Sequence, residues 1–415
     1  MGRQLAILGG TPVRGEPWPV WPQYGQAVRD AIARVAESNL YCAQTGKEVG
    51  RFEETFASYH GIGHAVGVAN GTVALQAALA AAGIGCGDEV IVPSYTFVAT
   101  GMVAVENNAI PVFVDCERTS QGLDPEDVRR KITPRTRAIM AVHVNGYPCD
   151  MDAIMAVARQ HNLVVIEDCA HAHGAEHKGR KVGTIGHFGC FSFQLKKNLS
   201  VGEGGMVITN DAEAAERMRQ MRGFSWTAVT RNWRMGEFYG AIGAEQIKVL
   251  DEQNAKRRAN VATLLDALGT VEGITPLPGL PDTRPVYYNL ILQYDESVFG
   301  VSRQTFVKTL IAEGIPVHIF YMPIQRWPTF PKADFFGRGC PFSCPLHEGG
   351  PVDYRNVSTP VADAVCDRIN VEIKVQPTNG ETEMKQVAEA IRKISANKAE
   401  LKDVEKAIKE GKITR

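Results

Sequence analysis

Between residues 64 and 167 short apolar segments alternate with segments of helical spacing, and this alternation limits the fold more than any other feature of the chain. Residues 64–69, 89–92, 110–115, 137–144 and 163–167 read as strands. Residues 72–82 and 150–161 read as helices, and Asp124-Pro125 opens another with a cap residue and a proline in its first turn. Strands that are apolar almost throughout are buried on both faces, and helical crossovers between them make them parallel. The fold class expected is therefore α/β, with a mainly parallel sheet covered by helices on both faces.

The flanks are less regular. Residues 1–25 are rich in Pro, Gly and Trp and read as an extended N-terminal arm. Residues 27–60 carry a helical pattern. A stretch with four prolines and one glycine, 274–285, joins or decorates the start of a smaller α+β unit. Residues 396–415 form a charged helical tail with Leu401, Val404 and Ile408 on one face. The expected division is an arm (1–25), a large domain (26–260), a small C-terminal domain (261–395) and the tail (396–415). A chain of 415 residues is long enough for both domains.

Composition excludes several classes. Apolar residues make up 44% and charged residues 22%, as in an ordinary globular protein, and the net charge of −1 selects neither nucleic acid nor a cationic partner. No apolar run is long enough to span a bilayer. The N-terminus lacks a signal-peptide layout and a Ser or Thr at position six for myristoylation. The nine cysteines are odd in number and scattered, which fits reduced thiols and a cytoplasmic location.

Five short segments are candidates for chemistry. Asn70-Gly71-Thr72 stands between a strand and a helix, where free N–H groups and a partial positive charge attract phosphate; a plain N-cap is the alternative. Phe97 closes Pro93-Ser-Tyr-Thr-Phe97 after the next strand, at the edge where open sheets bind ligands, or else sits in the core. Asp168 and His171 end the apolar strand 163–167, and a carboxylate buried there needs a cationic partner. Lys197 lies in Phe191-Ser-Phe-Gln-Leu-Lys-Lys-Asn-Leu-Ser-Val-Gly-Glu-Gly-Gly205; a lysine held in a pocket loses its proton easily and attacks carbonyls, whereas a surface lysine does nothing of the kind. Arg231-Asn232-Trp-Arg234-Met235 precedes a helix. Metal readings are weak. His171, His173 and His177 lack ligand spacing, Cys340, Cys344 and His347 are at most half a zinc site, and no metal is expected. Gly83-Ile-Gly-Cys-Gly87 follows a helix and is no dinucleotide loop.

Taken in order, these segments resemble the DegT-like family of pyridoxal-phosphate (PLP) sugar aminotransferases, near its keto-inositol aminotransferase and aminohydroxybenzoate synthase branch. The resemblance covers about residues 20 to 395 and is strongest from 60 to 245. It implies PLP fold type I, with a seven-stranded sheet and a smaller C-terminal α+β domain. It implies that Lys197, rather than Lys196, carries the cofactor covalently and that Asp168 holds the pyridinium nitrogen. Gly71, Thr72 and Ser192 would take the phosphate, Phe97 would stack on the ring, and His171 would contact the ring or its phenolic oxygen. Asn232 would reach the phosphate of a neighbouring subunit, which implies a homodimer with shared sites. Tyr321 and Arg234 are candidate substrate contacts. Gln325 and Asn289 replace histidines common in the family and leave the acceptor open. The function implied is transfer of an amino group from glutamate or glutamine to a keto-sugar or keto-cyclitol. A PLP-dependent lyase acting on an aminated ring and a non-catalytic PLP-fold binding protein stay open as alternatives.

Overall fold

The computed structural model describes residues 4–226, 229–319, 321–332 and 334–413. Seven strands form the main sheet: β1 (His64–Val68), β2 (Glu89–Pro93), β3 (Ile110–Val114), β4 (Thr136–Val142), β5 (Val164–Asp168), β6 (Phe188–Ser192) and β7 (Gly205–Thr209). Their order is β1-β7-β6-β5-β4-β2-β3. The β2, β3, β4, β5 and β6 pairings are parallel, and β7 lies antiparallel to both neighbours. Six strands thus share one direction, and Val68, Pro93, Val114, Val142, Asp168 and Ser192 all finish at one edge. The alanine-rich helix Gly71–Ala81 is buried along most of its length, because small side chains let it sit close to the sheet.

The pattern over 27–60 resolves into two helices, Gln26–Ser38 and Glu48–His60. Asn39, in the left-handed region at φ 55°, closes the first. The second is capped from far away, with Glu237 accepting from the N–H of Glu48 at 2.6 Å. No local signal marks that start.

A second, antiparallel sheet is built from β8 (Ile274–Pro276), β9 (Leu290–Tyr294), β10 (Val317–His318) and β11 (Asn370–Ile373), in the order β8-β9-β11-β10. Its core includes Leu264, Leu292, Phe306, Leu310, Val371, Met384 and Ile391. The helix Leu250–Leu268 runs straight through residue 260 and feeds both cores, Leu250 into the first and Val261 and Leu264 into the second. The proline-rich stretch is not simply a linker. It supplies β8, and Thr283–Arg284 pairs with Glu176–His177 beside the main sheet.

The arm and the tail are both docked. Leu5 is fully buried in the second core, and Ala6 and Val13 donate to the Glu313 carboxylate. The arm then carries Trp21 to the Lys197 carbonyl, to which its indole N–H donates at 3.1 Å. The tail forms a helix, Lys398–Lys409, whose Leu401 and Val404 are fully buried.

Candidate active site

At the shared strand edge the turn after β1 meets the ends of β6 and β7. Asn70 caps the helix Gly71–Ala81 by accepting from the Val73 N–H at 2.9 Å. The fit around Gly71 is tight. A Cβ there would lie 2.5 Å from Ser192 Cβ and 3.0 Å from its Oγ, and a Cβ on Gly205 would lie 2.2 Å from the Asn70 carbonyl oxygen. Only glycine at these two positions lets the backbone N–H groups of a helix start stand against a serine hydroxyl. Such a cradle suits a phosphate.

Asp168 forms the next wall. It ends β5, is 6% exposed, and accepts from Thr100 Oγ1 and the Ala170 N–H, each at 3.1 Å. Burial raises its pKa, while those hydrogen bonds and the charge of Lys197 pull it back. An incoming cation would relieve a carboxylate held this way. Its neighbour Glu167 belongs to the scaffold. It accepts from Gly183, Ile185 and Gly186 N–H groups at 2.6–2.7 Å and from His143 Nε2 at 3.0 Å. Glu167, His143 and Cys169 lie close enough to suggest a metal. Both carboxylate oxygens are already filled, however, and His143 Nδ1 accepts from the Cys149 N–H.

Lys197 lies five residues beyond Ser192, past the shared edge. Burial lowers its pKa to about 8, against the opposing pull of Asp168. Its Nζ lies 4.8 Å from the centre of the Tyr288 ring. Lys196 is exposed. His171 stacks in parallel on Tyr288, centroids 3.9 Å apart, and its Nδ1 accepts from the Asn145 N–H at 3.2 Å. Burial and then Lys197 and Lys374 push its pKa well below the ordinary range, so the ring is neutral.

Behind these rings lies a buried polar network. Asn289 donates to Asn145 Oδ1 and to Glu372 Oε2, and both Asn145 and Asn370 donate to the Tyr95 hydroxyl. Tyr321 packs edge-on against Tyr95 at 5.5 Å and lies 6.5 Å from His171. Gln325 is turned away, donating to Thr359 Oγ1.

Other sequence candidates lie at the margin. Phe97 is 45% exposed at the mouth. Asn232 is exposed with φ 54°, beside Trp233, whose carbonyl accepts from the Ala69 N–H. Arg234 has a buried Nη1 with no partner among the described residues. His347 spends both ring nitrogens, on Glu89 and on the Gly350 carbonyl, so the suggested zinc half-site is a packing contact. His173 packs on Phe191 and Phe193, and His177 faces Asp150, so the three histidines do not converge. A cleft of about 600 Å³ opens elsewhere, lined by Gly273, Gln293 and Arg368, and no candidate site residue lines it.

Sequence reasoning missed Tyr288, Glu372, Lys374, Asn145 and Thr100. One signal was available. Val371-Glu-Ile-Lys-Val375 sets two charges on one face of a strand whose other face is apolar.

The chain matches the DegT/DnrJ/EryC1/StrS aminotransferase family over residues 22–392. The chain belongs to this family. Among its relatives, the L-glutamine:2-deoxy-scyllo-inosose aminotransferase of Streptoalloteichus tenebrarius is 38% identical, with 96% of this chain and 99% of that one aligned. The aminotransferase from Psychrobacter cryohalolentis has the same fold, with a TM-score of 0.83 at 34% identity over 92% of this chain and 99% of that one. A 3-amino-5-hydroxybenzoic acid synthase superposes with a TM-score of 0.80 at 30% identity, covering 93% and 99%. The architecture is PLP fold type I, and the protein is a PLP-dependent aminotransferase. The site fits that cofactor. A glycine-lined helix start would suit its phosphate, the buried Asp168 carboxylate would suit its ring nitrogen, and Lys197 offers an amine with a lowered pKa.

Proposed function

We propose that this aminotransferase moves the amino group of L-glutamine or L-glutamate to a keto-cyclitol or a related keto-sugar. The observation that carries the reading is the half-buried Lys197, whose desolvated amine interacts with the charge of the buried Asp168. The substrate pair is supported by the glutamine:keto-cyclitol relatives, which match nearly the whole chain. PLP, when bound, supplies an electron sink that lets one amino group pass between two substrates in turn.

The residues then have separate tasks. Gly71, Thr72 and Ser192 hold the phosphate through N–H and hydroxyl donors. Asp168 keeps the ring nitrogen protonated. Phe97 and neutral His171 border the ring. Lys197 first holds the cofactor, then, as a free amine, takes the proton from the donor's α-carbon and returns it to the reacting centre. Tyr321 and Arg234 face the substrates. Asn232 serves the phosphate of a second subunit in a homodimer. Support for that assembly comes from exposed apolar side chains, including Phe97, Leu195, Trp226 at 91% and Val229 at 90% exposure. The chain has no described helix long and apolar enough to cross a membrane, and its cysteines are all free thiols, which supports a cytoplasmic setting.

The test is to add glutamine or glutamate alone to the purified, PLP-loaded protein. Each active donor should bleach the cofactor absorbance and release one equivalent of 2-oxo acid. A keto-inositol should then restore the absorbance and appear as an amine. If neither donor bleaches the cofactor while an aminated ring compound loses water, the lyase reading replaces this one.

A further inference from the structure

We propose that Lys374 anchors the α-carboxylate of the amino donor. The inference rests on the transamination reading above and adds the group that positions its first substrate. Lys374 follows β11, where Val371, Ile373 and Val375 are buried in the second core. Side chains alternate along a strand, so Glu372 and Lys374 emerge on the opposite face. That face looks onto Tyr288. Lys374 Nζ lies 3.3 Å from the Tyr288 ring centre and donates to the Tyr288 carbonyl at 2.9 Å. His171 already covers one face of the ring at 3.9 Å, so the amine must occupy the other. Lys197 Nζ is 4.8 Å from the same ring centre, and with the 3.3 Å of Lys374 the two amines are at most about 8.1 Å apart.

Every amino donor carries its carboxylate on the carbon that reacts beside Lys197. The group that receives it must therefore be a cation within one small molecule's reach of that amine. Lys374 has this position. One of its three N–H bonds goes to Tyr288, and among the described residues the other two have no acceptor. The surroundings also favour an anion. Burial, then Lys197 and Arg257, push the Lys374 amine well below the ordinary lysine range, with Glu372 opposing. Glu372 is a weak counter-ion, because burial lifts its own pKa to about 7. A carboxylate arriving at Lys374 supplies the counter-charge under which this amine holds its proton.

The rival anchor is Arg234, with its unpartnered buried Nη1. The probe is α-methylglutamine, which has the donor's carboxylate and no α-hydrogen. It is titrated into PLP-loaded wild type, K374M, K374R and R234M by calorimetry and by the cofactor spectrum. K374M should bind it at least about tenfold more weakly, the loss expected for one charge-assisted hydrogen bond. K374R should retain most of the affinity. 4-Aminobutanamide, the same compound without carboxylate and methyl, should bind wild type and K374M alike. In turnover, K374M should raise the donor KM and leave the acceptor KM in place, with wild-type PLP content and melting temperature as checks on folding. Equal affinity of wild type and K374M for α-methylglutamine overturns the proposal, as does a loss confined to R234M. Failure of the wild type itself to bind any amino-acid probe removes the transamination reading as well, and so is told apart.

Discussion

At the residue scale the site depends on what burial does to two charges. Lys197 is pushed down to about 8 and Asp168 is pushed up, each partly restored by the other. The Lys197 amine should therefore be mostly protonated below about pH 8 and free to attack above it. Capture of PLP by cofactor-free protein, trapped with borohydride and read on the peptide containing residue 197, should rise through about pH 8 and level off. A surface lysine would still be gaining reactivity near its ordinary value of about 10.4. Labelling of Lys196 instead would move the assignment by one residue. Asp168→Asn removes the charge proposed to hold the ring proton. Breaking such a buried pair costs about 3 kcal/mol or more, which is roughly a hundredfold in rate. Near wild-type turnover in this variant, with PLP bound, would remove Asp168 from its proposed role.

At the scale of elements, the strand end that presents Asp168 is held from behind. Glu167 gathers three N–H groups of the 183–186 turn and the His143 ring onto one carboxylate. An amide in its place turns one acceptor into a donor and leaves a buried N–H facing it. Glu167→Gln should therefore cost about 2–4 kcal/mol and lower the melting temperature. Unchanged stability would show that the turn is held by packing alone. The tail helix behaves as an ordinary core element despite its charge. Leu401 and Val404 are buried against the second core, and Glu405 accepts from the Ser302 N–H at the start of the helix Arg303–Ala312. Ending the chain at residue 397 should cost about 1.5–3 kcal/mol for each of the two side chains. The readout is a lower urea midpoint, with the cofactor spectrum unchanged.

The whole molecule brings the site together from both sheets. The main sheet contributes the helix start at Gly71, Asp168 and the turn that carries Lys197, and the second sheet delivers Tyr288, Glu372 and Lys374. The arm closes the back through Trp21, under which Arg257 sits 4.8 Å from the indole ring. The proposed dimer would complete the mouth. Mixing Lys197→Ala with Asn232→Ala subunits should restore part of the activity, because one site of each heterodimer then carries both intact residues. Two inactive parents that exchange subunits and stay inactive would remove Asn232 from the shared site.

The alternation from residue 64 to 167 was legible in the sequence because buried parallel strands must be apolar on both faces, and periodicity records that requirement directly. The segments around Gly71, Asp168 and Lys197 were legible as well. Gly71 and Asp168 stand at a helix start and a strand end, positions that restrict residue types locally, whereas Lys197 was singled out by the resemblance of its segment to a family pattern. What the sequence could not encode locally, the tertiary structure decided. The second helix of the 27–60 pattern begins where Glu237 caps it, across nearly two hundred residues. Tyr288 becomes a wall of the site because β9 and β11 pair beside the main sheet. Lys374, an isolated charge after a strand, acquires meaning only when that pairing sets it over the same ring as Lys197. Such contacts join residues far apart in the chain through one or two side chains each. They leave no period and no spacing behind, so only the packed chain reveals them.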